Sequence, residues 1–146
     1  MNVFNGVIMP NGFKNPVGVY DCKGLFVDLS TERGIICEKI IIQNIEYRNE
    51  VVLYLGEIHT GHWGNFFIDN ISRLWYFIQS NKKIKIAYCG RNFKEGTFGN
   101  ASNNAFHLLS LFGISRDDFI DVRKPMQFNQ VIVPQKSFIH HEYVTS

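Results

Sequence analysis

Between Gly61 and Gln79 the chain reads GHWGNFFIDNISRLWYFIQ, which gathers His62, Asn65, Asp69, Ser72, Arg73 and Tyr76 into nineteen residues. Phe67, Ile71, Leu74, Trp75 and Ile78 recur at three- and four-residue steps, so the spacing predicts an amphipathic helix from about Asn65 to Gln79. On a wheel of about 100° per residue these apolar positions span an arc of about 100°. Asn65, Asp69, Ser72 and Tyr76 fall within about 60° on the other side, with Arg73 beside them. Two readings fit that polar stripe. A solvated face is the ordinary one, but such faces usually carry Lys and Glu, which form helices well, and this one carries neither. Asn, Asp, Ser and Tyr are mediocre helix formers and good at fixing hydroxyl-rich ligands, which is the second reading. Gly61 and Gly64 bracket His62 and Trp63, so backbone and imidazole could approach a ligand closely at the helix start.

Other candidates carry less. His59 and His62 are three apart, outside the expected helix and without a third ligand, so a metal site is not expected. His140 and His141 alternate across an extended chain. GRNFKEGTFGN, residues 90–100, follows a strand and precedes a helix, the right context for phosphate, but has neither Gly-Lys-Ser/Thr nor Gly-x-Gly-x-x-Gly spacing. Arg91 in that loop is the residue that could reach an anionic ligand. No Gly-x-Ser-x-Gly elbow is present, so a serine hydrolase has no support.

The elements that must position these residues read as follows. Residues 1–60 are β-rich. GVYD and GLFVDLS, parted by Cys-Lys-Gly, predict a hairpin over Val17–Ser30. KIIIQNIEY and EVVLYLGEI predict two strands with a turn at Arg48-Asn49. Beyond the first helix, KIKIAYC predicts a strand, and ASNNAFHLLSLF a second helix capped by Gly113 in the left-handed conformation. DFIDV and QFNQVIVP predict two more strands. The order strand–helix–strand–helix–strand–strand implies an α/β fold, a Rossmann-like parallel sheet with crossover helices over 61–138. Leu74, Trp75, Ile78, Ile86, Leu108, Leu109 and Val131 are expected to share its core.

The chain of 146 residues has the length of a single domain, and 45% hydrophobic with 19% charged residues excludes disorder as a description of the whole. A formal net charge of +2 with scattered basic residues gives no nucleic-acid footprint; Lys82, Lys83 and Lys85 are the densest group. Cys22, Cys37 and Cys89 are odd in number and in no metal-ligand spacing. Reduced thiols, together with a start that lacks the pattern of a signal peptide, lead to a cytoplasmic expectation. No cofactor is implied.

HWGNFFIDNISRLWYF resembles the H-aromatic-G-H-F-x-x-(D/E)-x-x-x-R-L-W segment of glycosyltransferase family 61, the capsular polysaccharide biosynthesis-like proteins. LYLGEI before it, KIKIAYCG and GNASNNAFHLLSLFGI after it, and finally PMQFNQVIVPQKSF follow in the family's order, over roughly Val51 to Phe138. The resemblance implies the N-terminal, acceptor-side domain of a GT-B inverting transferase, which moves a sugar from a nucleotide-sugar to a polysaccharide or glycan acceptor. It departs from the family in two places: Asn65 stands where the second His is usual, and the chain stops where members continue into the donor half. The whole of 1–146 is therefore expected to be one acceptor-side domain, a fragment inactive by itself, with glycan acceptor and nucleotide-sugar donor as partners. Peripheral membrane association through other biosynthetic enzymes is compatible with that family. His62 and Asp69 are the implied catalytic residues, His62 favoured as general base. Trp63, Asn65, Ser72, Arg73, Tyr76 and Arg91 are the implied substrate contacts. A non-catalytic glycan-binding or interaction domain is the alternative.

Overall fold

The computed structural model describes residues 1–31, 39–58, 66–80, 84–90 and 107–137. They build a mixed, seven-stranded sheet. The strands are β1 (Asn2–Phe4), β2 (Val7–Met9), β3 (Gly18–Tyr20), β4 (Glu46–Ile58), β5 (Lys85–Gly90), β6 (Phe119–Asp121) and β7 (Met126–Ile132). The order is β3-β2-β7-β4-β5-β6, with β1 also on β7. β7, β4, β5 and β6 run parallel, whereas β1, β2 and β3 join antiparallel. The expected α/β class with a β-rich beginning is present; the sheet is mixed rather than wholly parallel.

Parallel strands buried on both faces need continuous apolar runs rather than alternation. VVLYL in β4 and IAYC in β5 supply them. Val52, Tyr54, Ala87 and Cys89 pack on one face with Val3, Ile8, Val19, Phe128 and Val131. Leu53, Leu55, Ile86 and Tyr88 pack on the other with Leu74, Leu109 and Ile114. Leu74, Ile86 and Leu109 thus share a core as expected, with Leu108 packed against it, while Val131 belongs to the opposite face.

β4 is one strand where a turn at Arg48-Asn49 was expected; the pairing with β7 only shifts register between Arg48 and Val51. The end of β2 and the residues after it reach β5 and the end of β4. The Cys89 thiol lies 3.9 Å from the Met9 carbonyl, and Asn11 Nδ2 donates to Glu57 Oε1 at 3.1 Å. Burial in this seam pushes the Cys89 thiol well above its ordinary range, and the negative Glu57 adds to the effect.

The expected Val17–Ser30 hairpin is reduced to a Tyr20–Phe26 bridge, and β2 is the ladder partner of β3. After β5, residues 107–110 are helical, and Gly113, at φ 73°, donates to the Ser110 carbonyl while Ile114 donates to that of Leu109. This is the glycine-capped helix end that the sequence predicts.

The crossover from β4 to β5 is where the helical reading is corrected. Phe66–Asn70 is a π-helical turn, Ile71–Arg73 a 3-10 turn, and only Trp75–Ser80 (α1) is α-helical. A wide turn followed by a tight one breaks the 100° step on which the wheel rests. Leu74 is 2% exposed, but Trp75 and Ile78, expected in the core, are 38% and 50% exposed. The polar residues Asn70, Ser72 and Arg73 are buried instead.

Candidate functional site

Residues at the carboxyl end of β4 are gripped by the π-helical turn. Gly56 holds φ at 103°, where an L side chain is strained, and the β4–β5 register slips beside it. Two carbonyls around this bulge, Leu55 and Glu57, accept from Asn70 Nδ2 at 3.1 and 3.2 Å. Asn70 Oδ1 is buried without a hydrogen-bond partner among the described residues. The amide cannot be reversed to help it, because that would aim the oxygen at two carbonyls.

The segment after β7 is zipped along the same turn. Arg73 Nη1 donates to the Pro134 carbonyl at 3.3 Å and Trp75 Nε1 to that of Gln135 at 2.9 Å. The Ser137 amide and hydroxyl both donate to the Ser72 carbonyl, at 3.0 and 3.1 Å. Lys136 Nζ donates to Asp69 Oδ1 at 2.8 Å, between side chains only 12% and 13% exposed. The arrangement places a carboxylate and an ammonium together at the carboxyl edge of β4, beside the strand where sequence order along the sheet reverses. In open α/β sheets that edge is where ligands bind.

The sequence-derived stripe is divided by this geometry. Asp69 stands at the carboxyl edge with its second oxygen uncommitted among the described residues. Ser72 is turned inward and its hydroxyl donates to the Ile68 carbonyl, a helix back-bond. Arg73 is 1% exposed, with its guanidinium 5.9 Å from the Tyr54 ring centre, so it braces the segment after β7 and not an open face. It is Lys136, not Arg73, that pairs with Asp69. Tyr76 lies further down, in a cleft of about 610 Å³ with Glu50, Val51, Ile84 and Lys85. Leu55 and Val51 are four residues apart on β4, about 13 Å of strand, so Tyr76 and Asp69 do not serve one small ligand together. His62, Trp63, Asn65 and Arg91 lie outside the described residues, as do His59, His140 and His141.

Lys136 and Asn70 are the two site residues that periodicity did not single out. Asn70 carries a faint signal, an amide side chain in a helical run where it is a weak helix former. Lys136 carries none, because its partner is 67 positions away. No group of three potential metal ligands exists among the described residues, and none of their helices is long and apolar enough to cross a membrane.

The fold and edge define a mixed α/β protein with an Asp69–Lys136 ion pair at the carboxyl end of β4. No family model, no curated protein and no solved structure matches the chain.

Proposed function

We propose that the chain is the acceptor-side part of an inverting glycosyltransferase, which passes a sugar from a nucleotide-sugar to a glycan hydroxyl. The observation that supports this reading is the Asp69 carboxylate, held by Lys136 at the carboxyl edge of β4 with its second oxygen uncommitted among the described residues. It occupies the acidic position of the motif that resembles glycosyltransferase family 61. In the reaction, His62 takes the proton of the acceptor hydroxyl as general base. The hydroxyl oxygen attacks the anomeric carbon from the face opposite the leaving group, and the nucleoside diphosphate departs. Asp69 orients the acceptor, and Trp63 and Asn65 complete its contacts. Ser72 and Arg73 support the site from behind, and Arg91 serves any anionic group nearby.

Donor and acceptor must be held face to face for transfer, and that proximity is a large part of the rate. The chain alone is therefore expected to bind acceptor without turnover. A glycan array probed with the labelled chain, with nucleotide-sugar hydrolysis and transfer followed in parallel, tests this. Binding of a glycan that weakens in Asp69→Asn, without nucleotide-sugar consumption, is the expected result. An array with no bound glycan overturns the reading, and turnover by the isolated chain overturns its restriction to the acceptor side.

A further inference from the structure

β1 leaves the sheet with an edge that no described segment pairs. Met1 and Val133 exchange N–H to carbonyl bonds, and the Asn5 amide donates to the Asn129 carbonyl. Asn2 stands opposite Ile132 and Phe4 opposite Gln130, so the alternation of an antiparallel ladder turns residues 1, 3 and 5 toward β7. The N–H and C=O groups of Asn2 and Phe4 therefore face away from β7, about 7 Å apart along the strand. No described group bonds them. Residues 1–4 also form one wall of a groove of about 660 Å³, and the turn and segment after β3 form the other. Met1, Phe4, Leu25 and Leu29 are exposed apolar side chains in these walls. The charged side chains of the groove are both acids, Asp21 and Asp28. Asp21 Oδ1 accepts from the Lys23 and Leu25 amides, whereas the Asp28 carboxylate has no partner among the described residues. The Met1 ammonium is committed to the Val133 carbonyl.

We propose that β1 and this groove dock an extended peptide that carries aliphatic residues and at least one Lys or Arg. An unpaired strand edge is a template for another strand, and main-chain bonds to such an edge supply affinity while side-chain pockets supply selectivity. The peptide backbone bonds the outward groups of Asn2 and Phe4. Its aliphatic side chains cover Phe4, Leu25 and Leu29, and its cation meets Asp28. A second copy of this chain fits worse. Two-fold pairing of β1 would bring two sets of Asp21 and Asp28 together, over an edge only three residues long. None of the residues given to the glycan site takes part, so the two readings fail separately.

The test uses the full 146-residue chain with its own Met1 amino terminus, nitrogen-15 labelled. It is titrated with acetylated, amidated hexapeptides of Val and Thr in which one Lys or one Glu is walked through every position. Lys peptides are expected to shift the amides of Asn2, Phe4 and residues 25–29. They should bind about threefold or more tighter than Glu peptides, a difference that shrinks with salt and in Asp28→Asn. N-methylation of the tightest peptide should weaken binding about three- to tenfold at alternate residues and leave it unchanged at the others, because a strand pairs here through one edge. Asn2→Pro removes an outward N–H and no bond to β7, so it should weaken binding similarly, while Asn2→Ala should not. Should thermal melts show Asn2→Pro unfolded, the N-methyl series on wild type decides alone. No binding by any hexapeptide, equal binding by Glu peptides, equal loss at both sets of N-methyl positions, or a folded Asn2→Pro that binds normally overturns the proposal. So does a dimer of the free chain in sedimentation that Asn2→Pro dissociates, which assigns the edge to a second copy.

Discussion

Lys136→Met keeps most of the side-chain stem and removes the charge, leaving the mostly buried Asp69 carboxylate without its ion-pair partner. With 2.8 Å between the charged atoms, the gross attraction at an effective dielectric of 20 is about 6 kcal/mol. Most of that is offset by the hydration both groups gave up on folding. Breaking a fully buried pair costs about 3–5 kcal/mol and an exposed one about 0.2–1. Side chains 12% and 13% exposed place this pair between those limits, nearer the buried one. Lys136→Met should therefore destabilise by about 2 kcal/mol, which for a chain of this size lowers Tm by about 4–8 °C. Asp69→Asn should cost about 1–2 kcal/mol, since the amide still accepts from Lys136. Urea denaturation of both single variants and the double variant closes the cycle, with an expected coupling of about 1–2 kcal/mol. A coupling below about 0.5 kcal/mol would refute the reasoning, because the pair would then behave as a solvated surface contact.

Three further outcomes are expected. Leu74→Ala should cost about 2–5 kcal/mol, against about 0.5 or less for Ile78→Ala, although both lie on the same predicted stripe; chemical denaturation separates them, and equal losses would contradict the observed burial. Gly24→Ala places a Cβ 2.1 Å from the Ile40 carbonyl oxygen at φ 80°, so the Ile40-to-Gly24 hydrogen bond must give way; a loss of about 2–4 kcal/mol is expected, and a neutral melt would refute it. Tyr88 is pushed up to about 12, first by burial and then by Asp121. Because the folded chain holds this proton more tightly than the unfolded one, its contribution to stability is intact below about pH 10 and lost as pH rises through about 12. Ultraviolet titration should show a late-ionising tyrosine component that shrinks in Tyr88→Phe, and an unchanged late component in that variant would count against the Tyr88 shift.

The sheet strands were legible wherever apolar runs and turns carried the signal. The apolar run in Val51–Leu55, the KIKIAYC strand and the Gly113 helix cap all follow from local chemistry. The crossover helix was legible as helix but not as a face. Periodicity assumes a constant 3.6-residue turn, and the Asn70 amide reaching back to Leu55 and Glu57 accompanies a π-helical turn that breaks it. Trp75 and Ile78 rotate outward and Arg73 inward as a result. Asp69 was singled out for its residue type and motif position. Its partner was not, since ion pairs between distant segments leave no trace in local spacing. The unbroken β4 was misjudged for a similar reason: Arg48-Asn49 has turn chemistry, yet pairing with β7 on one side carries the strand through with only a register shift.

The place of β7 in the sheet has a consequence for how the chain is born. Strands from the first ten residues lie on one side of it and β4 on the other, and the amino group of Met1 reaches the carbonyl of Val133, 132 positions away. Until β7 has left the ribosome, β1 and β2 have no ladder to join β4 through, and one face of VVLYL remains uncovered. Such a topology has high contact order, because long loops must close before the pairing that rewards them can form. Folding should then be slow, with the nascent chain reliant on chaperones for the interval in which its most apolar strand is complete and its central partner is still unmade.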